Sequence, residues 1–209
     1  MSTVQNINEL VQKGKAAEVK EEVQKAVDAG EDIGTLLNEG MIAAMTTVGD
    51  KFSKGEAYVP EMLIAARAMQ SGMDILAPKM QDAGINPVGK VLVGTVKGDL
   101  HDIGKNLVCM MLKGAGFEVV DLGVDVPAEK FVEEAKSSNC SLVACSALLT
   151  TTMPQMAEVV KSFKDQGVDT KVIIGGAPVT QKYCEEIGAD GYGADANEAA
   201  KIAKKLASA

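Results

Sequence analysis

The stretch TVKGDLHDIGKN, residues 95–106, holds the single histidine of the chain between two aspartates in a glycine-flanked turn. Asp99 and His101 are two residues apart, so the carboxylate can accept a hydrogen bond from one imidazole nitrogen. The other nitrogen is then free for a metal. One histidine cannot hold a bare ion such as zinc, because structural sites need four ligands and no other His or Cys approaches it in the sequence. A metal here would have to arrive with most of its ligands attached. A tetrapyrrole or corrin does so, since four in-plane nitrogens leave only an axial position for the protein. The residues alone leave an alternative open, in which Asp99 or Asp102 caps a helix and His101 is a polar loop residue without chemistry. The loop is not a dinucleotide fingerprint. That would need GxGxxG, and the carboxylates here would repel a pyrophosphate.

Short apolar runs alternating with helical stretches position this loop. "KVLVGTV", "FEVVDLG", "SLVACSA", "KVIIGG" and a short "DGYG" read as five strands. Helices are expected from about Ile103 to Ala115, in "PAEKFVEEAKSS", "PQMAEVVKSFKDQG" and "TQKYCEEIG", and in the terminal "DANEAAKIAKKLA". The pattern predicts an α/β, Rossmann-like (flavodoxin-like) domain with a five-stranded parallel sheet over residues 87–209, whose ligands bind beyond the carboxyl ends of the strands. His101, Ser146, Gly175 and Gly176 all fall at or just past those ends. Before it, residues 1–86 read as a small bundle of three or four helices. In "KGKAAEVKEEVQKAVDAG", Ala17, Val19, Val23, Ala26 and Val27 share one side and Gly30 stops the pattern. "DIGTLLNEGMIAAMTTVGDKFSKGE" and "VPEMLIAARAMQSGMDILAPKMQ" repeat the habit, the second with Pro60 in its first turn. Met41, Met45, Met62, Met69, Met73 and Met80 read as adaptable core filling, with a ligand-facing role as the alternative. "DAGINPVGK", with Gly84, Pro87 and Gly89, is the linker.

Composition narrows the classes. With 209 residues, 46% of them hydrophobic, the chain can bury a core. A net charge of -8, with no Trp and few other aromatic residues, argues against nucleic acid as a partner. No apolar run approaches the roughly 20 residues of a membrane span, and the polar start "MSTVQNINEL" is no signal peptide. A cytoplasmic setting is expected. Cys109, Cys140, Cys145 and Cys184 form no CxxC pair, which fits reduced, buried thiols.

Taken in order, Asp99-x-His101-x-x-Gly104, Ser146-x-Leu148 and Gly175-Gly176 resemble the three-part signature of cobalamin-binding domains. "VGDKFSKGEAYVPEMLIAARAM" resembles the helical bundle that caps the corrin in methionine synthase and in the small corrinoid proteins of anaerobic methyltransferase systems. The similarity thus runs over nearly the whole chain, and the chain length matches the small corrinoid proteins. The resemblance implies cobalamin, or a related corrinoid such as methylcobalamin, with its cobalt. In that family the cofactor's benzimidazole leaves cobalt and its nucleotide tail inserts beside the sheet. His101 is then the lower axial ligand, Asp99 bonds its distal nitrogen, and Thr152 extends the relay with a hydroxyl where methionine synthase has serine.

Other positions follow by the same resemblance. Asp102, Ile103 and Leu148 lie within the motifs and count among the cofactor-binding residues. Ser146 and Thr150 match positions that meet the displaced base and its tail. Gly104, Gly175 and Gly176 keep space for a bulky nucleotide, although tight turns would also explain them. Gly191 and Tyr192 border the tail. Phe52 and Val59 match apolar residues that cover the methyl face, Val59 being shorter than the leucine of methionine synthase, and core packing is the competing reading for both.

The implied activity is carriage of a methyl group on cobalt, between Co(I) and methyl-Co(III), from a substrate-specific methyltransferase to a second methyltransferase. The acceptor would be a thiol or a tetrahydropterin, and a reductive activase is a further implied partner. The bundle would shield the methyl group and swing away on the Pro/Gly linker. No second catalytic constellation is present, and no segment is left over to bind methanol, a methylamine, an aryl ether or folate. A shuttle is therefore expected rather than a complete enzyme. Two other classes share the loop. The cobalamin subunit of an adenosylcobalamin-dependent mutase usually lacks the helical cap, and a cobalamin-sensing regulator carries a DNA-binding segment in front, whereas this chain is acidic and starts at the bundle. A flavodoxin-like protein with no corrinoid would leave the three linked motifs unexplained.

Overall fold

A computed structural model describes residues 2–140 and 142–208, with Gln81 described by its backbone alone. The chain divides into two compact units, Met1–Pro87 and Val88–Ala209.

The first unit is helical. It opens with α1, Thr3–Gln12, in which Val4, Ile7 and Val11 recur at helical spacing. Ser2 accepts the Gln5 N–H while the Gln5 side chain returns the bond, a capping box that starts the helix and lets it bury Ile7 and Val11. In α2, Ala16–Asp28, the buried stripe is Val19, Val23 and Ala26. Ala17, expected beside them, is exposed, because two residues along a helix is a turn of roughly 200°. The expected helix over residues 32–56 has three parts: a short α3, Ile33–Thr35, a π-helical stretch, Leu36–Ile42, and α4, Ala43–Ser53. Within the wider register the Asn8 amide donates to the Glu39 carbonyl at 3.0 Å. The long α5, Val59–Asp82, carries Pro60 in its first turn. At Gly72 a Cβ would lie 2.7 Å from Met41 Sδ and 3.1 Å from Val19, so its absence is what lets α2 approach α5. Met41, Met45, Met62, Met69 and Met80 are buried in this interior, and Met73 is half-buried.

The second unit is a doubly wound sheet. Strands β1 (Lys90–Thr95), β2 (Glu118–Asp121), β3 (Leu142–Ser146), β4 (Lys171–Gly175) and β5 (Gly191–Gly193) are all parallel, in the order β2-β1-β3-β4-β5. The expected first residue of the third strand, Ser141, lies outside the described residues. Helices α6 (Ile103–Gly114), α7 (Ala128–Ser138), α8 (Pro154–Asp165), α9 (Gln181–Ile187) and α10 (Ala196–Ala207) connect or follow the strands. α6 packs with α10, and α7 packs with α8. With both faces covered, the central strands are almost continuously buried, which is why they read as apolar runs rather than as alternation. Three small residues set the helix distances. A Cβ on Gly94 would meet the Phe131 ring at 2.7 Å, one on Gly191 would meet Ile202 at 2.5 Å, and one on Gly193 would meet Ala199 at 2.7 Å. All four cysteines are free and buried. Burial pushes the Cys109 thiol up to about 11. Among the described residues no helix is long and apolar enough to cross a membrane.

Candidate functional site

β1 and β3 are neighbours although β2 lies between them in the chain, so the connections leave this pair in opposite directions. The crevice beyond such a pair is where doubly wound sheets bind ligands. Two loops flank it, residues 96–102 after β1 and residues 147–153 after β3. Asp99 ties them together.

The Asp99 side chain is fully buried, and both of its oxygens are used. Oδ1 accepts from the His101 backbone N–H at 3.1 Å and faces His101 Nδ1 at 2.7 Å. Oδ2 accepts from the Leu148 N–H at 2.8 Å, from the Thr152 hydroxyl at 2.7 Å and, more weakly, from the Leu149 N–H at 3.4 Å. Burial by itself would raise the carboxyl pKa. The bonds from Thr152, Leu148 and His101 outweigh it and hold Asp99 well below the usual carboxylate range. A carboxylate can only accept, so Nδ1 carries a proton, and in the neutral ring the lone pair is then on Nε2. The His101 side chain is 51% exposed, and Nε2 has no hydrogen-bond partner among the described residues. The Thr152 hydroxyl also lies 2.9 Å from the Leu149 carbonyl, a second acceptor within reach.

The capping alternative can be settled from the same geometry. Asp102 stands at the N-cap of α6, but its side chain makes no cap bond there; Oδ2 accepts instead from the Asn106 amide at 3.2 Å. Asp99 is turned away into the β3 loop, so neither aspartate caps α6. Ile103 is 80% exposed and Leu100 72% exposed, an unusual display of apolar surface on either side of the imidazole in sequence. Leu148 and Leu149 are also exposed. A Cβ on Gly104 would meet nothing within 4 Å.

The other expected positions separate into groups. Ser146 ends β3 half-buried and gives its carbonyl to the Val96 N–H, and Thr150 is exposed in the next loop. Gly175 ends β4 and Gly176 follows it, and their small size has a cause inside the protein. A Cβ on Gly176, at φ +135°, would come within 1.9 Å of the Ala147 carbonyl oxygen, and one on Gly175 would lie 3.0 Å from the Gly193 carbonyl. Space for a nucleotide is therefore not needed to explain this pair; close backbone approach suffices. Gly191 and Tyr192 are on the edge strand β5, two strands away from β3, where Gly191 faces α10 and Tyr192 packs on the core. They do not join the Asp99 cluster. Phe52, half-buried in α4, and Val59, exposed at the start of α5, belong to the first unit.

Several residues of the cluster carry no signal in the sequence. Thr95, fully buried at the end of β1, donates its hydroxyl to the His101 carbonyl at 2.8 Å. Tyr183, from α9, donates its phenol hydroxyl to the Met153 carbonyl at 2.7 Å and so ties down the loop that contains Thr152. Asp125, in the loop before α7, accepts from the Gly98 N–H at 2.7 Å. Lys105 is buried against Asp121 and Asn106.

Among the described residues no group of three or more His, Cys, Asp or Glu could hold a metal ion. One exposed imidazole nitrogen, oriented by a buried carboxylate and bordered by exposed leucine and isoleucine, fits a metal already enclosed by an apolar macrocycle. The fold and site thus define a doubly wound module that presents one exposed, carboxylate-oriented imidazole beyond the β1–β3 pair. Residues 89–201 match the family described as "B12 binding domain", and residues 3–77 match a second family of the same description. A trimethylamine corrinoid protein of Methanosarcina barkeri is 44% identical over 96% of this chain and 98% of its own length. A corrinoid protein of Desulfitobacterium hafniense is 36% identical over 99% and 98%. Among solved structures, a cobalamin-binding protein from Desulfitobacterium hafniense superposes with a TM-score of 0.82 at 33% identity, covering 97% of this chain and 98% of the other. The methanol:cobalamin methyltransferase complex MtaBC of Methanosarcina barkeri gives 0.86 at 30% identity, covering 99% and 80%. The chain belongs to the B12-binding family, and its cofactor is a corrinoid.

Proposed function

We propose that the chain carries a methyl group on its corrinoid between two methyltransferases, with His101 Nε2 as the lower axial donor. The observation that carries this reading is the buried Asp99 carboxylate, which fixes the proton on Nδ1 and leaves the Nε2 lone pair without a partner. When bound, the corrinoid supplies a cobalt centre that takes up and releases a methyl group.

The protein's part is to hold and tune the donor. Asp99 orients the ring, as carboxylates behind metal-bound histidines do. The Leu148 N–H and the Thr152 hydroxyl keep Asp99 charged. Because the Leu149 carbonyl is a second acceptor, the Thr152 hydroxyl can turn from Asp99 without losing all partners, which lets a change at the imidazole be answered along the chain of bonds. Leu100, Ile103, Leu148 and Leu149 offer apolar surface to a macrocycle, with Asp102 beside them at the head of α6, and the open space at Gly104 admits a bulky group. Ser146, Thr150, Gly175 and Gly176, at the ends of β3 and β4 or in the loop that follows, are the proposed wall for the nucleotide tail, and Gly191 and Tyr192 border it less directly.

The relatives support the methyltransferase setting: two are corrinoid proteins, one of them a trimethylamine corrinoid protein, and one solved neighbour is a methanol:cobalamin methyltransferase complex. A substrate-specific methyltransferase on one side and an acceptor methyltransferase on the other are the proposed partners, in a cytoplasm that keeps the four thiols reduced. The helical unit matched over residues 3–77 favours this reading over a mutase subunit.

The single histidine makes the test direct. The protein is labelled with nitrogen-15 histidine, loaded with cobalamin, reduced to Co(II), and examined by paramagnetic resonance. A superhyperfine triplet that becomes a doublet on labelling identifies His101 as the donor. A splitting that ignores the label removes His101 from that role, and failure to bind any corrinoid removes the function.

A further inference from the structure

Asp125 stands outside every motif that marks the site, in the loop between β2 and α7. Its backbone adopts φ +54°, a left-handed conformation that strains an L-residue. The only other non-glycine residue with positive φ among those described is Asn139, whose conformation ends α7 in the ordinary way. Asp125 ends no helix. What its conformation achieves is a reciprocal hook on the histidine loop. Its Oδ1 accepts from the Gly98 N–H at 2.7 Å, and its own N–H donates to the Asp99 carbonyl at 3.0 Å. Next to it Val126 bridges to Val96 and donates its N–H to the Thr95 carbonyl at 2.9 Å.

Asp99 is therefore gripped from two sides. Leu148 and Thr152 hold its carboxylate from the β3 loop, and Asp125 holds its backbone from the β2 loop. The carboxylate can reach His101 Nδ1 and the Leu148 N–H together only if its backbone stays where it is. We infer that Asp125 is a positioning residue that fixes the Asp99–His101 pair from the β2–α7 loop and so keeps the proton on Nδ1. The consequence for cobalt rests on the proposed role of His101 as axial donor. The positioning itself does not, and it can be read without cofactor.

The test uses the full chain labelled with nitrogen-15 histidine, as wild type and as Asp125→Ala, Asp125→Gly and Asp125→Asn. Long-range proton–nitrogen spectra of the cofactor-free proteins report which ring nitrogen is protonated and how fast the Nδ1 proton exchanges with water. Losing one hydrogen bond to a charged acceptor, at about 1.5 kcal/mol, corresponds to exchange roughly ten-fold faster in the Ala and Gly variants. Asp125→Asn, which keeps an oxygen acceptor and tolerates the left-handed region, is expected within about two-fold of wild type. The Gly variant separates acceptor from strain, since it relieves the backbone and still lacks the carboxylate. If Gly behaves like wild type, or if Ala and Gly both stay within two-fold of it, the inference is overturned. Should the Ala variant fail to fold, the Gly and Asn pair decides. Cobalamin-loaded Co(II) spectra of the same samples keep the two ideas apart: a wild-type splitting that ignores the label sinks the axial-donor reading, while the cofactor-free exchange rates still decide the role of Asp125.

Discussion

Replacing Asp99 with Asn preserves the shape of the side chain and inverts half of its hydrogen-bonding character. Both carboxylate oxygens face donors, Oδ1 the His101 N–H and Nδ1, Oδ2 the Leu148 N–H and the Thr152 hydroxyl. Whichever way the amide sits, its NH2 must face one of these groups. Turned towards Leu148, it leaves a backbone N–H without a partner. Turned towards His101, it forces Nδ1 to accept and moves the ring proton to Nε2, which removes the lone pair a metal would use. An orphaned buried donor costs about 1–3 kcal/mol, and bonds to a charged group weaken to neutral strength. We expect Asp99→Asn to destabilise the second unit by about 3 kcal/mol, a fall in Tm of roughly 12 °C at about 4 °C per kcal/mol for a unit of this size. The pH dependence has a definite sign. The folded pKa of Asp99 is depressed, so its stabilisation is complete above the unfolded value near 4 and is lost as the pH falls towards the folded value. The gap in Tm between wild type and variant should be full at pH 7 and narrow below about pH 4. Calorimetric scans of the whole chain at pH 7, 5, 4 and 3 measure it. A gap under about 3 °C at neutral pH, or one that widens on acidification, would refute the reasoning.

Gly104→Ala meets no atom within 4 Å in the protein and sits in the first turn of α6, so it should stabilise the cofactor-free chain by about 0.5–1 kcal/mol. If that space serves a ligand, the same variant binds cobalamin more weakly, and titration followed by absorbance distinguishes the two effects. Gly176→Ala combines φ +135° with a 1.9 Å approach to the Ala147 carbonyl; we expect it to abolish a cooperative melt of the second unit, and a normal thermal transition by circular dichroism would contradict this. Tyr183→Phe keeps the ring against the core and removes the bond to the Met153 carbonyl. A loss of about 1 kcal/mol, or roughly 4 °C in Tm, is expected, and an unchanged melting temperature would show that the loop holding Thr152 does not depend on this anchor.

The β/α alternation was legible because strands buried on both faces cannot hide in polar patterning, and residues 90–95, 142–146 and 171–175 are apolar runs between helical segments. The first helix was legible in principle, from Ser2 and Gln5 at capping-box spacing and from Val4, Ile7 and Val11 at helical spacing. The π-helical stretch over Leu36–Ile42 carries no local signature, since its wider register is a matter of how α1 packs beside it. The glycines mislead most. Gly175 and Gly176 belong to a motif, yet the atoms that forbid a side chain there come from Gly193 and Ala147, on neighbouring elements.

The sequence by itself determined the local chemistry of the site: Asp99 and His101 are two residues apart, close enough for the carboxylate to reach one imidazole nitrogen. It also determined that a lone imidazole cannot hold a bare ion. Only the tertiary structure decided what happens at the other carboxylate oxygen. Leu148 and Thr152 reach it from 49 and 53 residues away because β3 lies beside β1 rather than beside β2. Asp125 and Tyr183 brace the same loops from elements on either side of that pair. The physical reason is that a hydrogen bond depends on position to a few tenths of an ångström, and across such separations only the packing of the sheet and its helices sets position that finely.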